Sequence, residues 1–600
     1  MTADTMPLEK PQRIFLARLV IGLAQGVALY LLYKAAQQKT WPATNGLVFA
    51  PLSILVVFVP LVAATSLGNF RRRTFAIWIV VASMLCAGLA FYDIHRDPLT
   101  VYQGAAAAPR VLGSWLLVLS LAILIFIAHC LIEAGDADRR FIARYPQYHD
   151  VSWKLGVQHV LGLLFVGVFW ALLWLGAALF SAINIRTFQH WLLQPWFYIP
   201  ATTLAWSAAI HLTDVRTGIV RGTRTLALSL LSWLLPVTVA ITAAFLLTLP
   251  FTGLEPLWHT RRAATLLLTA AGALIVLLNC AYPEDPANNR PAAIILYARA
   301  LAVPLIAAIT ALAAYGLYLR VAQYGWTTQR AIALACIAVA ASYALGYLFA
   351  LIRDGLALRR LETTNVVTAL LICAIIIALR TPLADPARIA VASQVARLEA
   401  GTTPVDKFDF AYLRFRSGIY GEQALERLKR KEDGPDAARI AFKANEALDW
   451  RSPSQSVNAA SKPREADATT RKANIVLKGA DGQSLPDSFF QFNWNAVQPA
   501  FRLPPCLVRV DAKCNALLID VDEDGEPEII LINGTGFGGG AFKDGKDGVW
   551  KFLGTLSGLN CKGVREALET RQFEIRRAPA DIEAAGQRVH IVPDSNCATR

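Results

Sequence analysis

Long apolar blocks fill the first two-thirds of the chain, and a polar tail follows them. The blocks lie near positions 13–33, 47–67, 75–93, 111–133, 155–183, 193–212, 226–250, 262–282, 293–319, 329–352 and 363–380. Each approaches the roughly 20 residues that an α-helix needs to cross a hydrocarbon core of about 30 Å. The pattern predicts a polytopic α-helical membrane bundle of about 11 transmembrane helices over residues 1–380. The first block is too long for the apolar region of a cleavable signal peptide, and no small-residue cleavage site follows it before Trp41.

Beyond Arg380 the period changes. In A-R-I-A-V-A-S-Q-V-A-R-L the residues Ile389, Val391, Val395 and Leu398 fall near one helical face. Further short helical runs extend to about residue 431, and together they predict a juxtamembrane helical collar over 381–431. Residues 432–472 have linker composition, with room for one helix in A-A-R-I-A-F-K-A-N-E-A-L. From 473 to 600 the signal is β: A-N-I-V-L-K, C-L-V-R-V, A-L-L-I-D-V, E-I-I-L-I, G-V-W-K-F-L-G-T-L and R-V-H-I-V, separated by Gly, Asp and Asn turns. With one helix in K-G-V-R-E-A-L-E-T-R, this predicts a small β-rich α+β soluble domain.

Composition strengthens the membrane reading. Hydrophobic residues make up 55% of the chain and charged residues 17%, whereas a soluble protein has about 25% charged. The net charge of +14 does not point to nucleic acid, because the basic residues cluster in alternate loops. The clusters are Lys10, Arg13 and Arg18; Arg71, Arg72 and Arg73; Arg139, Arg140 and Arg144; Arg216, Arg221 and Arg224; and Arg353, Arg359 and Arg360. The positive-inside rule places these loops, and the N-terminus, in the cytoplasm. An odd number of spans then puts the tail outside.

Cysteine usage agrees with that orientation. Cys86, Cys130, Cys280, Cys336 and Cys373 lie in or beside apolar blocks, where cysteine is a small apolar filler. The other four, Cys506, Cys514, Cys561 and Cys597, lie in the tail, an even number suited to disulfides in an oxidising compartment. Of three pairings, Cys506–Cys514 with Cys561–Cys597 is favoured, because the first pair would close a short hairpin. The alternative is four reduced, buried thiols.

The tail also holds D-V-D-E-D-G-E-P-E, with carboxylates at Asp520, Asp522, Asp524, Glu526 and Glu528. Acidic residues at positions 1, 3 and 5 with glycine at 6 set hard oxygen ligands on one side of a tight turn, which suits a structural Ca²⁺. Position 7 would offer its backbone carbonyl and position 9 a further carboxylate. Leu531 stands where an EF-hand has its bidentate glutamate. The loop instead resembles the FG-GAP-type calcium loops of integrin-like extracellular repeats; the plain alternative is an acidic β-turn without metal. The nearby G-T-G-F-G-G-G run lacks the Lys-Ser/Thr of a phosphate loop and reads as a hairpin connection. Within the bundle, ionisable residues are functional candidates because charge is costly in lipid. They are Asp93 and His95 in the third block, His129 and Glu133 in the fourth, and His211 and Asp214 at the end of the sixth. Interhelical hydrogen bonding is the simpler role for them, proton relay or metal binding the sharper one.

The membrane part carries the runs R-L-V-I-G-L-A-Q-G-V-A-L-Y-L-L-Y, W-P-A-T-N, W-I-V-V-A-S-M-L-C-A-G-L-A-F-Y-D-I, Y-P-E-D-P, L-R-V-A-Q-Y-G-W-T and P-A-R-I-A-V-A-S-Q-V-A-R-L. Over about residues 13–415 they resemble a bacterial integral-membrane family known as domain of unknown function 4153. The resemblance implies a multi-pass protein of the bacterial inner membrane and supplies no catalytic residues. The resulting expectation is a non-enzymatic protein that displays a calcium-stabilised, disulfide-bonded periplasmic domain for an envelope partner or ligand. The rival is a transporter or lipid-modifying enzyme with its site among the helices, although no catalytic motif or inverted repeat stands out.

Overall fold

The computed structural model describes residues 10–97, 114–260, 262–282, 292–434 and 436–450. Towards the C-terminus it describes 466–478, 483–494, 497, 503–510, 512–533, 538–545, 549–556, 559, 563–575, 582–584 and 587–589. The chain forms two compact units, Met1–Trp450 and Arg451–Arg600.

The first unit is a polytopic helical membrane bundle. Its helices are α1 (Lys10–Gln38), α2 (Gly46–Ser66), α3 (Arg72–Arg96), α4 (Trp115–Asp138), α5 (Tyr145–Ala182), α6 (Thr187–Leu192), α7 (Pro195–Val215) and α8 (Thr217–Thr252). They continue as α9 (Glu255–His259), α10 (Ala263–Cys280), α11 (Ala293–Tyr324), α12 (Thr328–Asp354) and α13 (Leu361–Leu379). Ten of these are long and apolar enough to cross a membrane: α1 to α5, α8 and α10 to α13.

An eleventh, α7, carries more polar residues, yet it runs antiparallel against α1. Arg18 of α1 pairs with Asp214 near the end of α7. One turn further along α1, a side chain at Gly22 would collide with Ser207, and one at Gly26 with Pro200 and Thr203. Glycines four residues apart let two helix backbones approach closely, and dispersion between them substitutes for a hydrophobic force that lipid does not supply. Polar Ser207 and Thr203 are thereby turned towards a helix rather than towards lipid.

The two larger apolar cores of the bundle each join several helices. Ile54, Trp78 and Leu121 join α2, α3 and α4, while Leu235, Leu274, Ile306 and Tyr347 join α8, α10, α11 and α12. Helix starts follow local chemistry: Asn45 accepts from the backbone of Leu47 at the head of α2, and Thr327 from that of Arg330 at the head of α12.

The collar is formed by α14 (Pro386–Glu399), α15 (Phe410–Arg416), α16 (Gly418–Lys429) and α17 (Ala437–Asp449). Val395, Leu398, Leu413, Leu425, Ile440 and Ala444 make their common core, so the helix within the linker-like stretch packs with the collar. The collar is pinned to one end of the bundle. Gln394 donates to the carbonyls of Tyr324 and Trp326 in the turn between α11 and α12, and Asp385 is bonded to the end of α3.

The second unit carries a five-stranded sheet in the order β1-β2-β3-β4-β5, with β1 (Ile475–Leu477) parallel to β2 (Cys514–Ile519). β3 (Glu528–Asn533), β4 (Gly539–Gly545) and β5 (Val549–Leu556) follow antiparallel. Phe489, Trp494, Phe542 and Trp550 pack on one face, and Leu517, Ile530 and Ile532 on the other. Helix α18 (Ala468–Asn474) precedes β1 and α19 (Asp487–Gln491) lies between β1 and β2, while α20 (Val564–Glu569) and a small hairpin, β6 (Ile582–Ala584) with β7 (Gln587–Val589), follow β5.

Two strand expectations need correction. C-L-V-R-V does not form a strand: Pro505–Leu507 is a 3-10 turn, since Pro504 and Pro505 lack the N–H groups a ladder needs and fix φ for a helical turn. Conversely, β4 arises from the glycine-rich run, where a side chain at Gly539 or Gly540 would meet Leu531 or Phe552. Cys506 and Cys514 form a disulfide, Cα to Cα 5.9 Å; Cys561 and Cys597 lie outside the described residues.

Candidate functional site

The acidic loop joins β2 to β3. Asp520 accepts from the backbone N–H of Asp524 at 3.1 Å and of Gly525 at 2.9 Å, closing a tight turn. Glu523 and Gly525 both have positive φ, at 59° and 89°, a conformation that glycine adopts freely. Glu528 receives the N–H of Val521 at 2.8 Å and is only 1% exposed. Carboxylate oxygens of Asp520, Asp522 and Glu528 lie within 4.8 Å of one another, a group that could hold a metal ion. Asp524 and Glu526, the other two carboxylates of the loop expected to join them, stand outside that group.

A cation from the protein itself reaches the same place. The β3–β4 register sets Ile529 opposite Phe542, so Glu528 adjoins Lys543. The Lys543 ammonium lies 2.5 Å from both Asp522 and Asp524 and 3.2 Å from Glu528. Hydrogen bonds to Asp522 and then Asp524 hold the Lys543 amine above its ordinary range, and the bond from Lys543 holds Asp524 below the usual carboxylate range. A buried carboxylate such as Glu528 requires a countercharge, and Lys543 and a divalent ion are alternatives for it.

In the bundle, the structure links several of the intramembrane candidates. At one end Trp78 donates its indole N–H to His129 Nδ1 at 3.2 Å, so His129 carries its proton on Nε2. That atom faces Glu133 at 3.4 Å. Lys154 then bridges Glu133 at 3.5 Å and Asp214 at 3.7 Å. Asp214 is bonded at 2.7 Å to Arg18, which is fully buried and also approaches His211. Arg18 further donates to the Leu67 carbonyl at 2.7 Å. Ionisable residues from α1, α4, α5 and α7 thus form one chain, with the Trp78 indole of α3 at its end.

At the opposite end Asp93 pairs with Arg96 at 3.2 Å and Arg380 at 3.5 Å. Fully buried Asp385 caps α14 and receives the hydroxyl of Tyr92 at 2.7 Å and Arg96 at 3.5 Å. Tyr92 also bonds to Tyr420 of the collar at 2.9 Å. His95 is outside this network and stacks on Phe91.

A third cluster is uncharged. Asn279 donates to Tyr347, Tyr347 to Asn365, and Asn365 to both Asn279 and Tyr145, over 2.5–2.8 Å. Glu284 and Asp285, which follow it in the chain, lie outside the described residues.

Lys154, Asp385 and the buried role of Arg18 escape a reading by block, because each sits where an apolar block meets a loop. Their signal was lone charges close to small or apolar neighbours, and only the helix partners give them meaning. Lys543 left no signal, since its role depends on strand register.

Neither the search of curated proteins nor that of solved structures found a match. Residues 52–428, from within α2 to the last turns of α16, match the family described as Domain of unknown function (DUF4153). A match over more than half of the chain, on the helical bundle and its collar, shows that the protein belongs to this family of domains of unknown function.

Proposed function

We propose that the protein is a bacterial inner-membrane anchor that displays its C-terminal β-rich unit in the periplasm, where the disulfide-closed unit, steadied by calcium, binds an envelope partner. The observation that carries this reading is the polarity of the bundle. The loops with clustered arginines meet at one end, where Arg71 bonds Asp136, Arg224 bonds Asp150 and Arg360 bonds Asp354. The collar is tied to the other end through Asp385, Tyr92 and Arg96. If the arginine-rich end is cytoplasmic, the chain leaves the bundle on the periplasmic side. The Cys506–Cys514 bond suits that compartment.

The sheet supplies a docking feature. Among the described residues β5 is paired only with β4 and leaves Val549 and Leu553 about half exposed, the form of edge to which an extended partner segment adds as a strand.

The test uses alkaline phosphatase fused after Arg600 or inserted between Arg139 and Arg140, together with crosslinked pull-downs. Activity is expected for the first fusion and not for the second, and a chain ending at Trp450 should lose captured partners while keeping its bundle. The reverse fusion pattern, or undiminished capture by the shortened chain, would sink the proposal.

A further inference from the structure

A cavity of about 460 Å³ lies among α4, α5, α10, α12 and α13, within the size range of small-molecule sites. Its lining is graded along the membrane normal. Asn279 is in the last turn of α10, Asn365 in the second turn of α13, and Tyr145 and His149 in the first two turns of α5. All four stand at the arginine-rich end. Deeper lining positions are mainly apolar, with Ile275 and Val276, Ala369, Gly156 and Phe126, beside the amphipathic Trp153 and Tyr343. Val276 is 54% exposed, so the cavity reaches the lipid-facing flank of the bundle.

Two further features define an occupant. Among the described residues no Asp, Glu, Lys or Arg lines the cavity and its ionisable lining side chains are the His149 imidazole, tyrosines and a cysteine, so a charged head would find no permanently charged partner there in a low-dielectric setting. The amide protons of Asn365 are both spent, on Tyr145 and Asn279. The Tyr145 hydroxyl accepts one of them, and among the described residues its own proton has no acceptor. A half-buried donor of this kind calls for an acceptor oxygen.

We propose that this cavity binds an uncharged amphiphile from the leaflet at the arginine-rich end. A carbonyl, ester or hydroxyl oxygen of its head accepts from Tyr145, and its apolar chain lies along Ile275, Val276 and Phe126. Diacylglycerols and isoprenoid quinones both have this chemistry. The site is independent of the C-terminal unit and of the role proposed for it.

The experiment reconstitutes the full chain in nanodiscs with photoreactive diacylglycerol, isoprenoid quinone or phosphatidylglycerol, and maps labelled peptides by mass spectrometry. Labelling of the α10 and α13 cavity segments by a neutral probe, competed by its unlabelled form, is expected, and whichever neutral probe labels identifies the source. Gly156→Phe fills the cavity from a position where an added Cβ meets nothing within 4 Å, and should abolish that labelling at unchanged thermal stability. Tyr145→Phe, which removes only the donor, should weaken competition about fivefold. Labelling equal to or weaker than that by phosphatidylglycerol, or undiminished labelling in both variants, would overturn the proposal and leave only annular lipid.

Discussion

Lys543 decides how the acidic loop behaves. Its ammonium lies between Asp522, Asp524 and Glu528, so an entering cation must displace it. Lys543→Met should therefore tighten calcium binding by the full-length protein by up to about fivefold, the order expected for removing an exposed competing cation. Calorimetric titration of both forms is the check; equal affinities would show that the amine does not occupy the ion's place. The signs of the shifts set the pH window. Lys543 is raised from 10.5, so its stabilisation is complete below that value and fades only as pH rises through its higher folded value. Asp524 is lowered from 3.8, so its contribution is present above that value and fades as pH falls through its lower folded value. Between these limits the difference between the two forms should stay flat. The five carboxylates were legible from D-V-D-E-D-G-E-P-E alone because turn chemistry is local. Lys543 was not, because it enters from a neighbouring strand.

Helix α7 shows what hydropathy omits at the level of an element. Its polar residues set it apart from the ten helices that are long and apolar enough to cross a membrane, yet Thr203 and Ser207 face α1 at Gly22 and Gly26. An added Cβ at Gly22 would lie 2.6 Å from the Ser207 side chain and 2.9 Å from the Thr203 carbonyl. Gly22→Leu should consequently destabilise the bundle by about 1–3 kcal/mol through overpacking, read as a lower melting temperature in nanodiscs. Gly88→Leu, at a site with nothing within 4 Å, is the control and should be nearly neutral. Equal melting of the two variants would mean that α1 and α7 do not depend on this approach. The G-x-x-x-G spacing was present in the first block, but its partner helix could not be read from it.

For the whole molecule, the division at Trp450 implies two separable stabilities. The Cys506–Cys514 bond joins residues 8 apart within the second unit's core. By the chain-entropy account, closing so short a loop contributes about 2–3 kcal/mol. Cys506→Ser with Cys514→Ser should lower the melting transition of the C-terminal unit and leave that of the bundle in place. A shift of both transitions together would show that the units unfold as one.

Membrane class, the placement of the long apolar helices, the collar helices, most of the sheet strands and the acidic turn were all legible in the residues alone. Each rests on interactions within about one element: helical period, apolar length, strand alternation, or carboxylates held by one turn. Tertiary structure alone decided which lone charges meet. It joined Trp78, His129, Glu133, Lys154, Asp214 and Arg18 into one chain, tied Asp385 to Tyr92, and placed Asn279, Asn365 and Tyr145 around one cavity. The physical reason is range. A charge or amide in lipid must find a partner, but the partner comes from any helix that packing brings alongside, and packing is set by the whole bundle.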